Sequence, residues 1–322
     1  GDPAYPDINI NFENIPFGKI GDLMGKSFNK LGWHWWPSYS AIITHEFDGR
    51  GKCINLGPCN MGCPQGAKAS SDITYWPKSI SNGVILKSNC RVKEICVENE
   101  KTISGVKYFN ENNEEVFQSA KIVIVACNGV GTPRILLNSK NKYYPNGLAN
   151  SSGLVGKNLM LHPLGYVEGV FDKNLDSDLG PHGCCIQSQE FYETNLERGF
   201  YRGYTMQLLR GQGPLETAFS GFVRREIPTG INHHAEFEKR YKKTIGVGII
   251  VEDLPNENNR VVLDDKLTDS NGIPCPKIIY SLCDNSKRIL AHGLKKGKKL
   301  MNTAGAKKVF AFGPVRSTGW HL

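Results

Sequence analysis

The chain has 322 residues, 39% hydrophobic and 22% charged, a composition typical of a folded protein of about two domains and not of a disordered one. Its 39 basic and 31 acidic residues give a net charge of +8, and its densest basic cluster, four lysines between positions 295 and 299, is typical of one solvated helix face and does not favour a nucleic-acid site. The longest apolar runs, Ile122–Cys127 and Ile245–Val251, are far below the roughly 18 residues that a membrane span needs, so we expect no transmembrane segment in this chain.

Near the N-terminus, apolar residues recur every three or four positions between Ile20 and Leu31. This spacing predicts an amphipathic helix over residues 19–31. The stretch that follows, Trp33 to Trp36, holds three tryptophans and one histidine. We interpret it as a packed corner, with an aromatic wall beside a ligand as the alternative.

The middle of the chain has the pattern of short strands. Four are predicted, at residues 84–87, 91–97, 103–109 and 116–119. Polar turns join the last three, which predicts a β-meander. The apolar run 121–127 suits a strand that is buried on both faces of a parallel sheet.

A glycine turn, Asn128 to Pro133, follows that run and predicts a helix over residues 134–138, with Thr132 as N-cap and Pro133 at the first helical position. The turn is a poor dinucleotide fingerprint, because Arg134 stands where the third glycine belongs.

The second half changes character. Separated strands are predicted at residues 204–209, 245–251, 260–263 and 277–280, and a helix is predicted over 286–304. This order indicates a mixed or antiparallel sheet in a separate lobe. The fold class is therefore α/β plus α+β.

Three cysteines stand close together, Cys53, Cys59 and Cys63. Three thiolates are what a three-iron, four-sulfur (3Fe-4S) cluster requires. Zinc would need a fourth ligand, and none is obvious nearby. Free buried thiols or a disulfide remain the structural alternative.

Several motifs, taken together, resemble the glucose–methanol–choline (GMC) family of FAD-dependent oxidoreductases. The similarity is closest to the flavoprotein subunits of bacterial sugar, polyol and gluconate dehydrogenases. The stretches that carry it are Gly66–Ser70 with Tyr75-Trp76, Asn89–Val92, Ala126–Ser139, Gly153–Leu159 with His162, Glu252–Val261 and Gly319–Leu322.

This resemblance implies roles for individual residues. Val92 would contact the adenine end of FAD through its backbone, and the signature around Ala126, Cys127 and Gly129 would also bind FAD. His321 would be the catalytic base and Trp320 would line the substrate side. Taken alone, His321 would be an ordinary exposed histidine. The remaining motif-free histidines, His233, His234 and His292, are expected at the surface, and His162 is expected to be structural.

The resemblance also implies a domain organisation. Residues 1–65 would form a lid segment with the cysteine cluster, and 66–165 part of a Rossmann-like FAD-binding domain with the meander. Residues 166–308 would form a substrate-binding domain with a mostly antiparallel sheet, and 309–322 would return to the active site. The family's first βαβ unit and its second catalytic residue are not found, so we expect an internal fragment of a longer enzyme that is inactive alone.

The function expected from the resemblance is FAD-dependent oxidation of the CH–OH group of an alcohol, sugar or sugar acid. A 3Fe-4S cluster, if present, would pass electrons to a cytochrome or another acceptor subunit, as in a dehydrogenase. Two alternatives stay open. One is a nicotinamide-dependent dehydrogenase, and the other is a non-catalytic, cysteine-stapled metal or interaction module.

Overall fold

The computed structural model describes residues 15–57, 59, 62–181, 184–210, 213–223 and 225–315. Within these ranges the chain forms six α-helices and eleven β-strands. The helices are α1 (Gly18–Lys30), α2 (Ser71–Ser81), α3 (Asn128–Asn138), α4 (Pro214–Val223), α5 (His233–Glu238) and α6 (Asp284–Thr303). The strands are β1 (Trp36–Pro37), β2 (Arg91–Val97), β3 (Ile103–Phe109), β4 (Glu115–Ser119), β5 (Leu164–Val170), β6 (Cys184–Ser188), β7 (Tyr204–Leu209), β8 (Thr244–Val251), β9 (Arg260–Thr268), β10 (Pro274–Ile279) and β11 (Lys308–Phe312).

The described residues divide into two compact units, and each is discontinuous in sequence. The larger unit comprises residues 15–82, 163–252 and 284–315, and the smaller unit comprises 83–162 and 253–283. The four-part division expected from the sequence stays a prediction.

The larger unit is built on a six-stranded antiparallel sheet in the order β1-β6-β7-β8-β5-β11. The antiparallel sheet predicted for the second half is therefore confirmed. Its inner strand β8 is almost wholly buried along its length, which explains why its sequence is apolar without alternation. The sequence predicted β7 and β8 of this sheet but not β1, β5, β6 and β11.

Helix α6 packs on this sheet, and two glycines set how closely it approaches. A Cβ atom at Gly293 would lie 2.4 Å from Cγ2 of Ile249, and one at Gly297 would lie 2.8 Å from Cγ2 of Val167. Larger side chains at either position would therefore push the helix away from the sheet. The helix predicted over residues 286–304 is confirmed, and the turn that ends it has Gly305 at a φ of 86°.

The aromatic corner after α1 is packed, as expected. Trp33 and Trp36 are each 8% exposed. The ring of Trp33 contacts Phe28 and Phe191 edge to face, with centroids 6.3 Å and 5.0 Å apart. Phe191 in turn stacks on Tyr204 of β7 at 5.4 Å. The corner thus ties α1 to the sheet.

The smaller unit contains the predicted meander, a three-stranded sheet in the order β2-β3-β4. It also contains the antiparallel pair β9–β10 and helix α3, which contacts β2, β9 and β10. The prediction of a fourth strand before the meander, at residues 84–87, is wrong. That segment is irregular, and its side chains are exposed, Ile85 by 82%.

The buried strand expected at 121–127 is also not present. The segment is extended, but it pairs with no strand in the described part of the chain. Ile122 and Ile124 are 80% and 86% exposed. Apolar composition predicted burial here, but burial also requires neighbours on both faces, and the described residues supply none.

Helix α3 begins earlier than predicted, at Asn128 and not at Arg134. Pro133 therefore lies inside the helix. Thr132 is not the N-cap, and its hydroxyl oxygen accepts a hydrogen bond from the backbone N–H of Cys127 at 3.2 Å. Pro133 is the sixth residue of the helix, so its missing N–H removes the hydrogen bond that would run to the Gly129 carbonyl, and the helix continues through this position without it.

His292 was expected at the surface, but it is half-buried on α6 against the aromatic corner. Its Nδ1 lies 3.0 Å from the hydroxyl of Tyr204, which is fully buried. Burial, assisted by the nearby cations of Lys296 and Arg198, lowers the pKa of His292 from 6.5 to about 4. The imidazole is therefore neutral at physiological pH.

No helix among the described residues combines the length and the apolar character that crossing a bilayer requires.

Neutral His292 makes stability depend on pH. Between about pH 6.5 and pH 4 the unfolded chain binds a proton at this histidine that the folded chain refuses, so stability falls as pH falls through that window. We expect His292→Phe, which cannot titrate, to lose less thermal stability than the wild type between pH 7 and pH 4.5. Differential scanning calorimetry of both proteins at the two pH values measures this. Equal losses in the two proteins would contradict it.

Candidate functional site

The first candidate site is the turn that opens α3. Ala126 and Cys127 are exposed and Gly129 is half-buried. The side-chain oxygen of Asn128 accepts hydrogen bonds from the N–H groups of Val130 and Gly131, at 2.9 and 3.1 Å. Asn128 thus acts as the N-cap, with a φ of 58° that asparagine tolerates better than most residues.

Arg134 lies further along α3 and anchors the helix. From sequence, this residue was noted only because it replaces the third glycine of a dinucleotide-binding pattern. Its guanidinium donates to Oδ2 of Asp269 at 2.8 Å and to the carbonyl oxygens of Ile273 and Pro274 at 3.1 and 2.8 Å. Burial is the largest single influence on Asp269 and opposes its ionisation, but the hydrogen bonds from Arg134 and from the backbone N–H groups of Asn271 and Ile273, with the Arg134 charge, together outweigh it and lower the pKa of that carboxyl. The pair clamps α3 onto the β9–β10 turn.

Val92 lies on β2, an edge strand of the meander, and is 42% exposed. The strand has a register shift directly after it, between Val92 and Glu94. The hydrogen bonds from α3 to β2 come from the far end of the helix, where Asn138 donates to the Lys93 carbonyl and the Ser139 hydroxyl accepts from the N–H of Ile95. Among the described hydrogen bonds, none joins Val92 to the turn at 126–129. The structure therefore places these residues in one unit, with no hydrogen bond described between them.

The second candidate site lies in the larger unit, where Cys53, Cys59 and Cys63 line one small recess of about 30 Å³. Cys53 and Cys63 are free thiols, so no disulfide joins two of these three cysteines. The rest of the wall is mostly small or apolar and consists of Ile54, Asn55, Leu56, Gly57, Gly62, Pro64, Gln65 and Pro181.

Backbone geometry shapes this recess. Gly57 has a φ of 99°, and a Cβ atom there would lie 2.4 Å from the carbonyl oxygen of Asp178. The N–H of Gly180 donates to the Asn55 carbonyl at 3.0 Å. The loop that carries Cys53 therefore presses directly against residues 176–181, and only glycine fits at position 57.

The thiol of Cys63 lies among backbone N–H groups. Those groups, first that of Lys68 and then those of Gln65 and Ala67, outweigh desolvation and lower the pKa of Cys63. By contrast, burial raises the pKa of Cys96 on β2. The recess therefore favours a thiolate at position 63, which is the form that binds metals.

No three His, Cys, Asp or Glu side chains in the described ranges converge as the ligands of a single metal ion would. The three thiols share the wall of the recess but do not form such a group. Zinc, one of the three alternatives from the sequence, gains no support from this arrangement.

Trp320 and His321, to which the family resemblance assigns roles in the active site, lie outside the described residues. His162 is exposed on the segment before β5. His234 on α5 is exposed, as expected, and His233 is half-buried. The sequence analysis missed Asn128 and Asp269. An asparagine directly before a helical stretch is a known capping signal and could have identified Asn128. No local sequence pattern indicates Asp269, because only the folded chain brings it to Arg134.

Comparison with known proteins places these features in a family context. Residues 30–164 match the family described as GMC oxidoreductase. Over its whole length the chain is 36% identical to a 2-methyl-1,2-propanediol dehydrogenase of Mycolicibacterium austroafricanum, of which it covers 59%. It is 26% identical to the fructose dehydrogenase large subunit of Gluconobacter japonicus over 84% of this chain and 48% of that protein. The chain thus spans about half to three-fifths of the length of these relatives.

A structural likeness supports the same fold. The chain superposes on formate oxidase of Aspergillus oryzae RIB40 with a TM-score of 0.52, covering 88% of this chain and 52% of that one, at 15% identity. At this identity the likeness concerns the fold alone.

The capping role of Asn128 can be tested by two substitutions. Asn128→Gly keeps the positive φ and loses only the cap, whereas Asn128→Ala loses the cap and strains the backbone. We expect a loss of a few tenths of a kcal/mol for glycine and about 1–2 kcal/mol for alanine. Thermal unfolding gives the order of the two variants, and amide hydrogen exchange at Val130 and Gly131 reports the cap directly. Equal stability of the two variants would contradict this role.

Proposed function

We propose that this chain, which belongs to the GMC oxidoreductase family, is part of an FAD-dependent enzyme that oxidises the CH–OH group of a small alcohol, polyol or sugar. The observation that carries this proposal is the 36% identity to a propanediol dehydrogenase along the whole chain. Similarity to a fructose dehydrogenase subunit points to the same chemical class of substrate, a small polyhydroxylated molecule.

The residues of the smaller unit fit one end of FAD. The turn at 126–129 is accessible, and its capping asparagine occupies only the N–H groups of Val130 and Gly131. Beside it, Ile122 and Ile124 present apolar surface that nothing in the described chain covers. We infer that this surface and the exposed edge of β2 at Val92 receive the adenine and ribose of the cofactor.

When bound, FAD supplies the hydride acceptor for alcohol oxidation. The protein must then position the alcohol carbon and remove the hydroxyl proton. We assign the proton to His321, because an imidazole titrates near neutral pH and can accept it and release it to solvent. Trp320 would pack against the substrate and keep water from that proton transfer. Both assignments rest on the family resemblance of the motif that carries them.

The role of His321 is tested in the complete protein. We expect His321→Ala to lower the rate of flavin reduction by substrate on the order of 10²-fold or more, since a general base is lost. Anaerobic stopped-flow absorbance measures that rate. His34→Ala serves as the matched control, because His34 is exposed and its Nδ1 pairs with Glu190 at 2.7 Å on the surface. An unchanged rate in His321→Ala would remove this residue from the mechanism.

For the second site we propose that Cys53, Cys59 and Cys63 bind a 3Fe-4S cluster. Two observations support it: the three thiols line one recess, and the surrounding backbone N–H groups lower the pKa of Cys63. An iron–sulfur cluster is several ångströms wide, so its thiolate ligands are spread around it. The ligands of a single metal ion must instead converge on one position. Such a cluster would supply one-electron transfer to an acceptor subunit, so the enzyme would be a dehydrogenase.

Iron content tests this second proposal. We expect the complete protein to hold about three irons per chain, and Cys63→Ala to lose most of them because one of three thiolate ligands is removed. The control is Cys96→Ala, a half-buried cysteine on β2 that lies outside the recess. Iron analysis and low-temperature electron paramagnetic resonance are the measurements. Wild-type protein without stoichiometric iron would defeat the cluster and leave the flavin chemistry standing.

The non-catalytic module remains the second candidate, favoured only by the cysteine recess. It predicts no flavin, whereas the leading proposal predicts the absorption bands of oxidised flavin and their bleaching by substrate in the absence of oxygen.

A further inference from the structure

One side of the larger unit carries a concentration of lysines. Helices α1 and α6 contact each other, and two shallow grooves run along them. Lys26 and Lys30 line the first groove together with Thr303 at the end of α6, and the α6 lysines line the second, which also includes Thr303. We define the basic face as Lys26, Lys30, Lys295, Lys296, Lys298 and Lys299.

These charges are largely uncompensated. Apart from Lys296, every lysine of the basic face is exposed, and none of the six forms an ion pair within the described part of the chain. The acidic groups nearby are few: Asp22 lies one turn before Lys26 on α1, and Glu190 lies near Lys296. Burial, and after it the charges of Lys299 and Arg198, lower the pKa of Lys296. Burial is the main cause of that lower pKa, and the charges of Lys299 and Lys295 on the same face act in the same direction.

The fold does not require this arrangement. The inner surface of α6 is formed by Gly293, Gly297 and buried aliphatic side chains, and the lysines occupy the outward positions. Compensation of the helix dipole applies only in the last turn of a helix, which includes Lys30 but neither Lys26 nor Lys295. Clustered like charges repel one another and destabilise a folded protein slightly, so a bound anion would reduce this repulsion.

We propose that the basic face is the docking surface for an acidic protein that accepts the electrons of this enzyme. The proposal rests on the function proposed above, in which the reduced flavin passes electrons to a partner. Partners that exchange electrons meet briefly through small, charged interfaces, and complementary charge raises the rate of encounter more than the lifetime of the complex.

The chemistry of the face favours a protein over other polyanions. Neither α1 nor α6 has an exposed large apolar side chain among its described residues, so the face lacks the second anchor that lasting attachment to a membrane needs. It also lacks exposed aromatic rings that could stack on bases; Trp33 lies beneath Lys296, whose Nζ is 5.7 Å from the ring centroid, and is buried. Lysines are mobile point charges, which suit a carboxylate-rich surface of no fixed shape.

The test uses the complete protein and two triple variants of equal charge. In the face variant, Lys295→Glu, Lys298→Glu and Lys299→Glu reverse three exposed charges and leave Lys296 on its aromatic support. In the control variant, Lys101→Glu, Lys140→Glu and Lys266→Glu make the same change in net charge at exposed positions of the smaller unit. Thermal unfolding establishes that both variants are folded.

Binding is measured first, with poly-L-glutamate as the probe and with phosphatidylglycerol vesicles and duplex DNA as competing classes. At low salt we expect the face variant to bind polyglutamate at least tenfold more weakly than the wild type, and the control variant to stay within about twofold. If both variants bind polyglutamate equally more weakly than the wild type, net charge alone explains the binding, and the proposal is overturned. Binding to vesicles or DNA that depends on the face, without such binding to polyglutamate, would also overturn it.

Electron transfer is measured second, after photoreduction of the flavin, so that no substrate is needed. An acidic plastocyanin and a basic mitochondrial-type cytochrome c serve as acceptors of opposite charge. We expect the face variant to reduce plastocyanin at least tenfold more slowly at low salt and cytochrome c no more slowly, with the difference vanishing at high salt. Unchanged rates with plastocyanin would overturn the role in electron transfer. Protein that lacks flavin would refute the proposed function instead, and the polyglutamate result would still decide whether the face binds acidic polypeptides.

Discussion

The close approach of α6 to the six-stranded sheet is the constraint on which the larger unit depends. Gly293 and Gly297 bring the helix within contact of Ile249 and Val167, and its other buried side chains are uncharged, mostly apolar ones such as Ile289 and Leu300. With that surface committed to the core, every charged residue of the helix must point away. The same contact brings His292 against Tyr204 and holds the imidazole neutral. Core packing, the buried histidine and the outward lysines thus have one origin.

The shape of the cysteine recess depends on a close approach between two backbone segments. Gly57 permits the loop that carries Cys53 to touch the carbonyl of Asp178. Behind that wall lies Arg210, which is 7% exposed and donates to the carbonyl oxygens of Leu179 and Pro16 at 3.1 and 3.0 Å. This guanidinium thus links Leu179 of the segment 176–181 to Pro16. The loops that form the recess have no regular secondary structure, so such individual contacts define its wall.

The sequence predicted those elements whose pattern is decided locally. Helices α1 and α6, the meander, and strands β7 and β8 follow directly from periodicity and turn residues, since each buries one face or both faces against neighbours in the chain. Prediction failed where the outcome depends on distant partners. The run at 121–127 is as apolar as β8, but only β8 has strands on both sides. Likewise β1 is too short to show a period, and it exists because Trp36 and Pro37 meet β6.

The candidate sites divide in the same way. The spacing of Cys53, Cys59 and Cys63 indicated a common site, and the recess they share could be expected from sequence. The clamp between Arg134 and Asp269, 135 positions apart, could not. The start of α3 was partly predictable. Asn128 is a residue type that caps helices, but Pro133 is typical of the first helical position and led to the prediction of a later start.

The uncovered run at 121–127 also bears on how the chain behaves in solution. The β-branched residues Ile122 to Val125 pair with no strand in the described part of the chain, and Ile122 and Ile124 are exposed. Such a run resembles an unpaired sheet edge, and Lys121 is the charged residue beside it. We therefore expect this stretch to favour self-association at high concentration wherever its surface is left uncovered.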